Sequence, residues 1–192
     1  MEALEQALRQ MITISPAEMQ AFGNFLEKRH YKRKSFLSDA DRYIDEVYFV
    51  EQGILRVLIT DRAGTEHTTH FALENQFIAD YQAFIVGKKS QYQLQALEAT
   101  DVIVLPRAAV EWGYEHMQDG QKLGRLIAEY YFVYLDQRIQ DQYTLSPRDR
   151  YERMSQIFPD IHNRVPQHMI ASYIGITPVH LSRLKKQVLL SE

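Results

Sequence analysis

The texture of this chain changes at Tyr31 and again at Pro106, and the second change narrows the architectures open to it. From Tyr31 to about Pro106 the sequence consists of short runs rich in aromatic and β-branched residues, separated by turn signals. Such runs favour strands, because branched and aromatic side chains pack well on a pleated surface. After Pro106 apolar residues recur at steps of three and four, the period of one face of a helix. A block of strands followed by a block of helices predicts an α+β chain in which the two kinds of element are segregated rather than alternated.

Within the first block the clearest strands are Val47–Val50, Ile54–Thr60 after Gly53, Thr65–Phe71 after the turn Asp61-Arg62-Ala63-Gly64, Gln91–Leu97 and Val102–Leu105. In Gln91–Leu97 the residues Tyr92, Leu94 and Ala96 alternate with three glutamines, which predicts one wet face. Many short strands at near-regular spacing predict a jelly roll, a double-stranded β-helix whose sheets enclose a space suited to a ligand. Ahead of them, Ser15-Pro16-Ala17-Glu18 reads as a capping box with Pro at the first helical position. That helix is expected to run to about Lys28.

In the second block Leu123, Leu126, Ile127, Tyr130, Val133 and Tyr134 fall on one stripe of a helix expected from about Asp119 to Tyr143. Such a helix is about 37 Å long at 1.5 Å per residue, longer than a small barrel can cover. Pairing with the same helix of a second subunit would bury the remainder, so these six residues are expected at a homodimer interface. The alternative is that the stripe packs on its own barrel. Ser146-Pro147 then ends the helix. The expected organisation is a sensor domain at 1–118, a long dimerisation helix at 119–145 and a C-terminal domain at 146–192.

A chain of 192 residues with 45% hydrophobic content has enough apolar side chain for a core. It has no cysteine, which excludes disulfides, thiolate metal sites, iron–sulfur clusters and cysteine nucleophiles. The start Met1-Glu2-Ala3-Leu4 lacks the pattern of a signal peptide and no stretch is long and apolar enough to span a membrane, so a cytoplasmic protein without membrane contact is expected. The net charge of -3 is unevenly shared. Residues 147–192 carry seven Lys and Arg against four Asp and Glu, while the rest of the chain is acidic. The basic excess therefore sits where a polyanion could be met locally.

That basic segment contains Gln167 to Leu184, which has the pattern of a helix-turn-helix. Two helices crossing closely need a small residue at the contact, and Ala171 supplies it. The tight turn needs a residue comfortable at positive φ, and Gly175 supplies that. Thr177 can cap the second helix while Pro178 sets its first dihedral. Ile170, Ile174, Ile176, Leu181 and Leu184 form an apolar inner face. Thr177, Pro178, Val179, His180, Ser182, Arg183, Lys185 and Lys186 are left as the candidate contacts to double-stranded DNA. Arg183 is the first choice for base readout, because a guanidinium pairs bidentately with guanine. Thr177, His180, Lys185 and Lys186 suit phosphates. Ordinary solvated surface is the competing reading for each.

The order of these parts resembles the Crp/Fnr superfamily of transcription regulators, and the resemblance covers nearly the whole chain. Val47-Tyr48-Phe49-Val50-Glu51-Gln52-Gly53-Ile54-Leu55-Arg56-Val57 looks like the family's barrel signature, and Asn75-Gln76-Phe77-Ile78-Ala79-Asp80-Tyr81 resembles its phosphate-binding cassette. The resemblance implies a jelly-roll sensor, a long dimerisation helix and a winged helix-turn-helix. It implies a dimer on a two-fold operator with half-sites about 34 Å apart, and RNA polymerase as a further partner. It also points to an effector pocket at Phe77, Ala79, Asp80, Tyr81, Ser90 and Gln91. The cyclic-nucleotide binders of the family carry a Gly-Glu-Leu turn and then Arg-Ser or Arg-Thr. Here the turn reads Ala79-Asp80-Tyr81, and Ser90 holds the arginine position. A buried phosphate without a cation is costly, so cyclic AMP in the usual pose is not expected, with Lys88 and Lys89 the nearest substitutes.

Two other classes compete. A metal-dependent jelly-roll enzyme of the cupin type would need His67, His70 and Glu74 to converge, yet residues three apart on a strand face opposite ways unless a bulge intervenes. A pure interaction module would keep the fold and lose DNA binding. No catalytic constellation, glycine-rich phosphate loop, metal site or cofactor is indicated by the spacing of residues.

Overall fold

The computed structural model describes residues 1–189. Its elements are α1 (Glu2–Met11), α2 (Pro16–Gly23), β1 (Glu27–Tyr31), β2 (Phe36–Ser38), β3 (Glu46–Gln52), β4 (Leu55–Thr60), β5 (Glu66–Ala72), β6 (Phe77–Ile78), α3 (Tyr81–Val86), β7 (Gln93–Ala96), β8 (Thr100–Pro106), α4 (Arg107–His116), α5 (Gly120–Thr144), α6 (Pro147–Ile157), α7 (Ile161–Arg164), α8 (Gln167–Ile174) and α9 (Pro178–Leu189). Among the described residues the last strand ends at Pro106 and only helices follow, so the chain is α+β as its texture implies.

The strands form two sheets, of order β1-β8-β3-β6 and β2-β7-β4-β5, with every pairing antiparallel. Tyr48, Val50, Leu55, Val57, Ala72, Ile78, Leu94, Ala96, Val102 and Val104 pack between them. The space enclosed by the roll is thus filled by its own side chains. The first sheet is apolar on its other face as well, where Phe49, Ile103 and Leu105 meet Leu4, Leu8 and Phe22 of α1 and α2. A sheet covered on both faces carries an unbroken apolar run, which explains Val102-Ile103-Val104-Leu105.

The second sheet also has a covered outer face. Ile54, Phe71, Leu73 and Leu97 share one cluster with Met154, Phe158, Ile161, Val165, Ile170, Tyr173 and Leu181 of the C-terminal helices. This cover accounts for one correction. Gln95 is not on a wet face: it is only 9% exposed and its Oε1 accepts from buried Arg56 at 2.9 Å.

Local signals set several boundaries. Ser15 and Glu18 form the reciprocal capping box of α2, yet that helix ends at Gly23 rather than near Lys28. Residues 27–31 instead pair with β8, from Glu27 opposite Val104 to Tyr31 opposite Thr100. Backbone bonds to an edge outweighed a weak helical preference. Gly53 sits at φ 101°, and a Cβ there would lie 2.5 Å from Thr100 Oγ1 and 2.8 Å from the Ala99 carbonyl. Both the backbone conformation and the close approach require glycine. Helices α4 and α5 also cross closely, since a Cβ on Gly120 would lie 1.8 Å from the Gly113 carbonyl oxygen.

Among the described residues no strand follows α9, so the wing expected beside the helix-turn-helix is not among them. The last residues of the expected C-terminal domain, 190–192, lie outside the described residues. Among the described residues no helix is long and apolar enough to cross a membrane.

Candidate nucleic-acid interface

Helices α8 and α9 are joined by a turn built from backbone geometry. Gly175 adopts φ 75° and ends α8. The Ile176 amide donates back to the Ala171 carbonyl at 3.0 Å and the Gly175 amide to Ser172 at 3.2 Å, closing the C-terminus of the helix. Glycine is needed here for space as well, because a Cβ would lie 2.8 Å from Gln142 Oε1 of α5. On the other side of the turn Thr177 Oγ1 accepts from the His180 amide at 3.2 Å, capping α9.

Burial separates the two faces of the motif. Ile170, Ala171, Ile174, Leu181 and Leu184 are buried. Thr177, Pro178, Val179, His180, Ser182, Arg183 and Lys186 are exposed. Lys185 is different: it is half-buried, and its ammonium donates to Gln167 Oε1 on α8 at 3.2 Å. The Thr177 oxygen is also engaged as a cap acceptor. The freely presented groups are therefore Arg183, Lys186, His180 and Ser182, with Val179 as an apolar contact that is 62% exposed. Four residues of α9 in two turns thus offer donors to solvent on one side.

The motif is anchored by residues distant in the sequence. Ser172 Oγ accepts from the Thr68 amide of β5 at 2.9 Å. Arg164 donates to Glu74 Oε1 at 2.6 Å and Oε2 at 3.1 Å, and also reaches Glu98. The guanidinium of Arg164 beside Glu74 holds that carboxyl down to about 2. Arg150 donates to the Ile174 and Leu145 carbonyls, each at 2.9 Å, satisfying the C-terminal ends of α8 and α5. Arg138 of α5 stacks over the Tyr173 ring at 4.4 Å and donates to the Tyr173 carbonyl at 3.2 Å. None of these partners was identified from sequence. All of these contacts except Arg150 with Leu145 join residues 24 or more positions apart, so no local spacing marks them.

The expected effector residues do not converge on one pocket. Asp80 is 6% exposed and Ser90 2% exposed, and the Ser90 hydroxyl donates to Asp80 Oδ2 at 2.6 Å. Asp80 also caps α3, accepting from the Ala83 amide at 3.1 Å. Gln91 faces solvent. Phe77, Ala79 and Tyr81 turn instead toward an apolar cavity next to α5. Lys88 and Lys89, the nearest cations in sequence, are exposed.

The long helix spans Gly120–Thr144, close to the expected extent, but its stripe is divided. Leu123 and Leu126 pack on the N-terminal core, Ile127 lines the apolar cavity and Tyr134 joins the C-terminal core. These four are half-buried and make contacts within the chain, because the barrel and the docked helices reach further along α5 than its length suggested. Tyr130 and Val133 remain 56% and 63% exposed. Phe132 at 72%, Leu135 at 49% and Ile139 at 59% join them and were missed. Their three- and four-residue spacing was the available signal.

The histidines of the metal reading are placed apart in their bonding. A register shift does occur between Val57 and Leu58, opposite His70 and Thr68. Even so, exposed His67 bonds Asp61 at 2.8 Å, while Nδ1 of His70 bonds the Tyr134 hydroxyl at 2.8 Å and Glu74 is held by Arg164. Among the described residues no group of three or more His, Asp or Glu could hold a metal ion.

The family described as "Cyclic nucleotide-binding domain" matches residues 28–116. No curated protein matches the sequence. Among solved structures, FixK2 from Bradyrhizobium japonicum aligns with TM-score 0.73 and 14% identity, over 86% of this chain and 85% of that one. A protein described as a transcriptional regulator of the Crp/Fnr family from Eubacterium rectale aligns with TM-score 0.71 and 14% identity, over 93% of this chain and 85% of that one. The global regulator CLP from Xanthomonas campestris, described as responsive to c-di-GMP, aligns with TM-score 0.67 and 12% identity, over 92% and 93%. Residues 28–116 are therefore similar to the cyclic nucleotide-binding domain, and the chain as a whole shares its fold with these solved structures.

Proposed function

We propose that this chain is a DNA-binding transcription regulator of the Crp/Fnr type, with a sensor at 1–118, a dimerisation helix at 119–145 and a reading domain at 146–192. The observation that carries the proposal is the outward face of α9. Its apolar side is consumed by the protein's own core, while Arg183, Lys186, His180 and Ser182 stand in solvent with Val179 between them. A helix of this width enters the major groove, where Arg183 can pair with guanine and Lys186 with a phosphate.

The exposed ridge Phe132, Leu135 and Ile139, spaced by three and four residues, supports a two-fold dimer through α5. Contiguous apolar surface on a helix of 25 residues calls for a partner, and a second copy presents the same ridge. Two α9 helices related by that axis would read half-sites about 34 Å apart. Cyclic AMP in the usual pose is disfavoured. The cassette offers the Asp80 carboxylate, already engaged by Ser90, and no buried cation to neutralise a phosphate.

The test is fluorescence anisotropy of the purified protein on a random-sequence duplex, titrated with salt. Binding is expected at about 50 mM salt and should fall steeply as counterions compete. Absence of binding at low salt would end the reading. Selection from random DNA should then return a two-fold symmetric site.

A further inference from the structure

A second cavity, larger than the apolar one beside α5, opens between α1, the loop ahead of β6 and the middle of α5. DNA reading does not use it. Its free volume is about 350 Å³. That is more than twice the roughly 150 Å³ of an apolar cavity that takes up benzene, and it falls at the small end of the range for ligand pockets. Burial separates floor from mouth. His70, Phe77, Ile127 and Tyr131 are half-buried and form the floor, while Gln10, Asn75 and Tyr130 are exposed and frame the mouth. Of the ridge proposed for the dimer, none of Phe132, Leu135 and Ile139 lines the pocket.

The lining carries four rings, those of His70, Phe77, Tyr130 and Tyr131, and three carboxamides, those of Gln10, Asn75 and Gln76. It carries no charge. Burial holds the His70 imidazole well below its usual pKa, so it is neutral at pH 7, and no Lys, Arg, Asp or Glu is among the described residues of the lining. The rings are not parallel. Tyr131 meets His70 at 70° and Tyr130 at 83°, so a flat occupant finds a ring face on one side and ring edges on another. Two polar groups are already committed: Gln76 Oε1 accepts from the Leu73 amide at 3.0 Å, and the Tyr131 hydroxyl donates to the Phe77 carbonyl at 2.6 Å. The exposed side chains of Gln10 and Asn75 have no hydrogen-bond partner among the described residues. The backbone beneath Asn75 is nevertheless pinned to β3, since its amide donates to the Val50 carbonyl at 2.9 Å and the Val50 amide to the Gln76 carbonyl at 3.0 Å.

We propose that this pocket binds an uncharged, flat aromatic ring carrying a carboxamide-like edge, the ring against Tyr130 and Tyr131 and the edge paired with Gln10 and Asn75. Such an edge presents a donor beside an acceptor, and a protein carboxamide matches both. A carboxylate or ammonium would lose its hydration to a lining that offers no opposite charge. A saturated ring of the same size lacks the faces that stack. The site is separate from the space between the sheets and from the cassette, where Asp80 and Ser90 are bonded to each other. Binding there does not depend on whether α9 reads DNA.

The test is isothermal titration calorimetry of the full chain with benzamide, with sodium benzoate and cyclohexanecarboxamide as comparison ligands. Benzamide is expected to bind saturably with a Kd of about 1 mM or tighter and to raise the melting temperature. Benzoate and cyclohexanecarboxamide should each bind at least tenfold more weakly. The double variant Gln10→Ala/Asn75→Gly removes both unpartnered carboxamides. Asn75 adopts φ 65°, which glycine accepts without strain, so the variant should fold with an unchanged melting temperature. It should bind benzamide at least fivefold more weakly. The proposal is overturned if benzamide gives no saturable heat up to its solubility limit, as it would if side chains of a second copy filled the pocket. It is equally overturned if either comparison ligand binds as tightly as benzamide, or if the double variant binds benzamide as the native protein does.

Discussion

His70 offers a quantitative check on how the three parts of the chain are held together. It lies on β5, its Nδ1 is 2.8 Å from the Tyr134 hydroxyl of α5, and that hydroxyl is 2.8 Å from the Tyr173 hydroxyl of α8. The ring also meets Tyr131 and Phe158 edge-on, at 5.9 Å and 6.0 Å. Burial, with a smaller contribution from the Arg138 charge, pushes its pKa down from 6.5 to about 3. The unfolded chain therefore takes up a proton that the folded chain refuses. Stability is complete above pH 6.5 and is lost as the pH falls toward 3. Between pH 7 and pH 5 the unfolded histidine gains most of a proton, which corresponds to a loss of about 2 kcal/mol.

His70→Phe keeps a packed ring and removes the titration, and Tyr134 retains its bond to Tyr173. Urea unfolding followed by far-UV circular dichroism at pH 7 and pH 5 gives the stability of each protein. The native protein is expected to lose about 2 kcal/mol more than the variant between these two values. Carboxylates such as Glu74, held down to about 2, titrate in both proteins and cancel in the difference. Equal pH dependence of the two proteins would refute the reasoning, because it would mean that His70 is either solvated or protonated in the folded state.

Three further outcomes follow from the geometry. Arg183→Ala should relax selectivity at one base pair of each half-site by about 1 to 3 kcal/mol while leaving the fold intact, read by competition among operator variants. Ile139→Asp should convert a dimer to a monomer in multi-angle light scattering with little change in melting temperature, since Ile139 is 59% exposed in the single chain. Gly120→Ala should destabilise by about 3 kcal/mol in chemical unfolding, because overpacking a tight contact forces backbone to move. The new Cβ would lie 1.8 Å from the Gly113 carbonyl oxygen.

What could be read along the chain is whatever a few neighbouring residues enforce. The helix-turn-helix is of this kind: Gly175 must take positive φ, Thr177 and Pro178 must start a helix, and Ala171 must let two helices approach. The strands β3, β4, β5, β7 and β8 announced themselves by branched and aromatic runs, and α5 by its period. By contrast β1, with the sequence Glu-Lys-Arg-His-Tyr, owes its strand state to pairing with β8, and β6 is only Phe77–Ile78 beside β3. Neither has a local pattern strong enough to declare it.

Tertiary packing settled questions that period and propensity leave open. The apolar residues of α5 were visible, but which of them meet the barrel and which remain outward depends on where α4 crosses at Gly113 and Gly120 and on how α8 docks on β5. The same holds for Gln95, whose alternating pattern suggested water until the C-terminal helices covered its sheet. Asp80 and Ser90 could be named as departures from a phosphate cassette, yet their mutual bond became visible only once α3 was in place. Local signals act over one turn of chain, whereas burial and pairing are decided by partners brought together from distant positions.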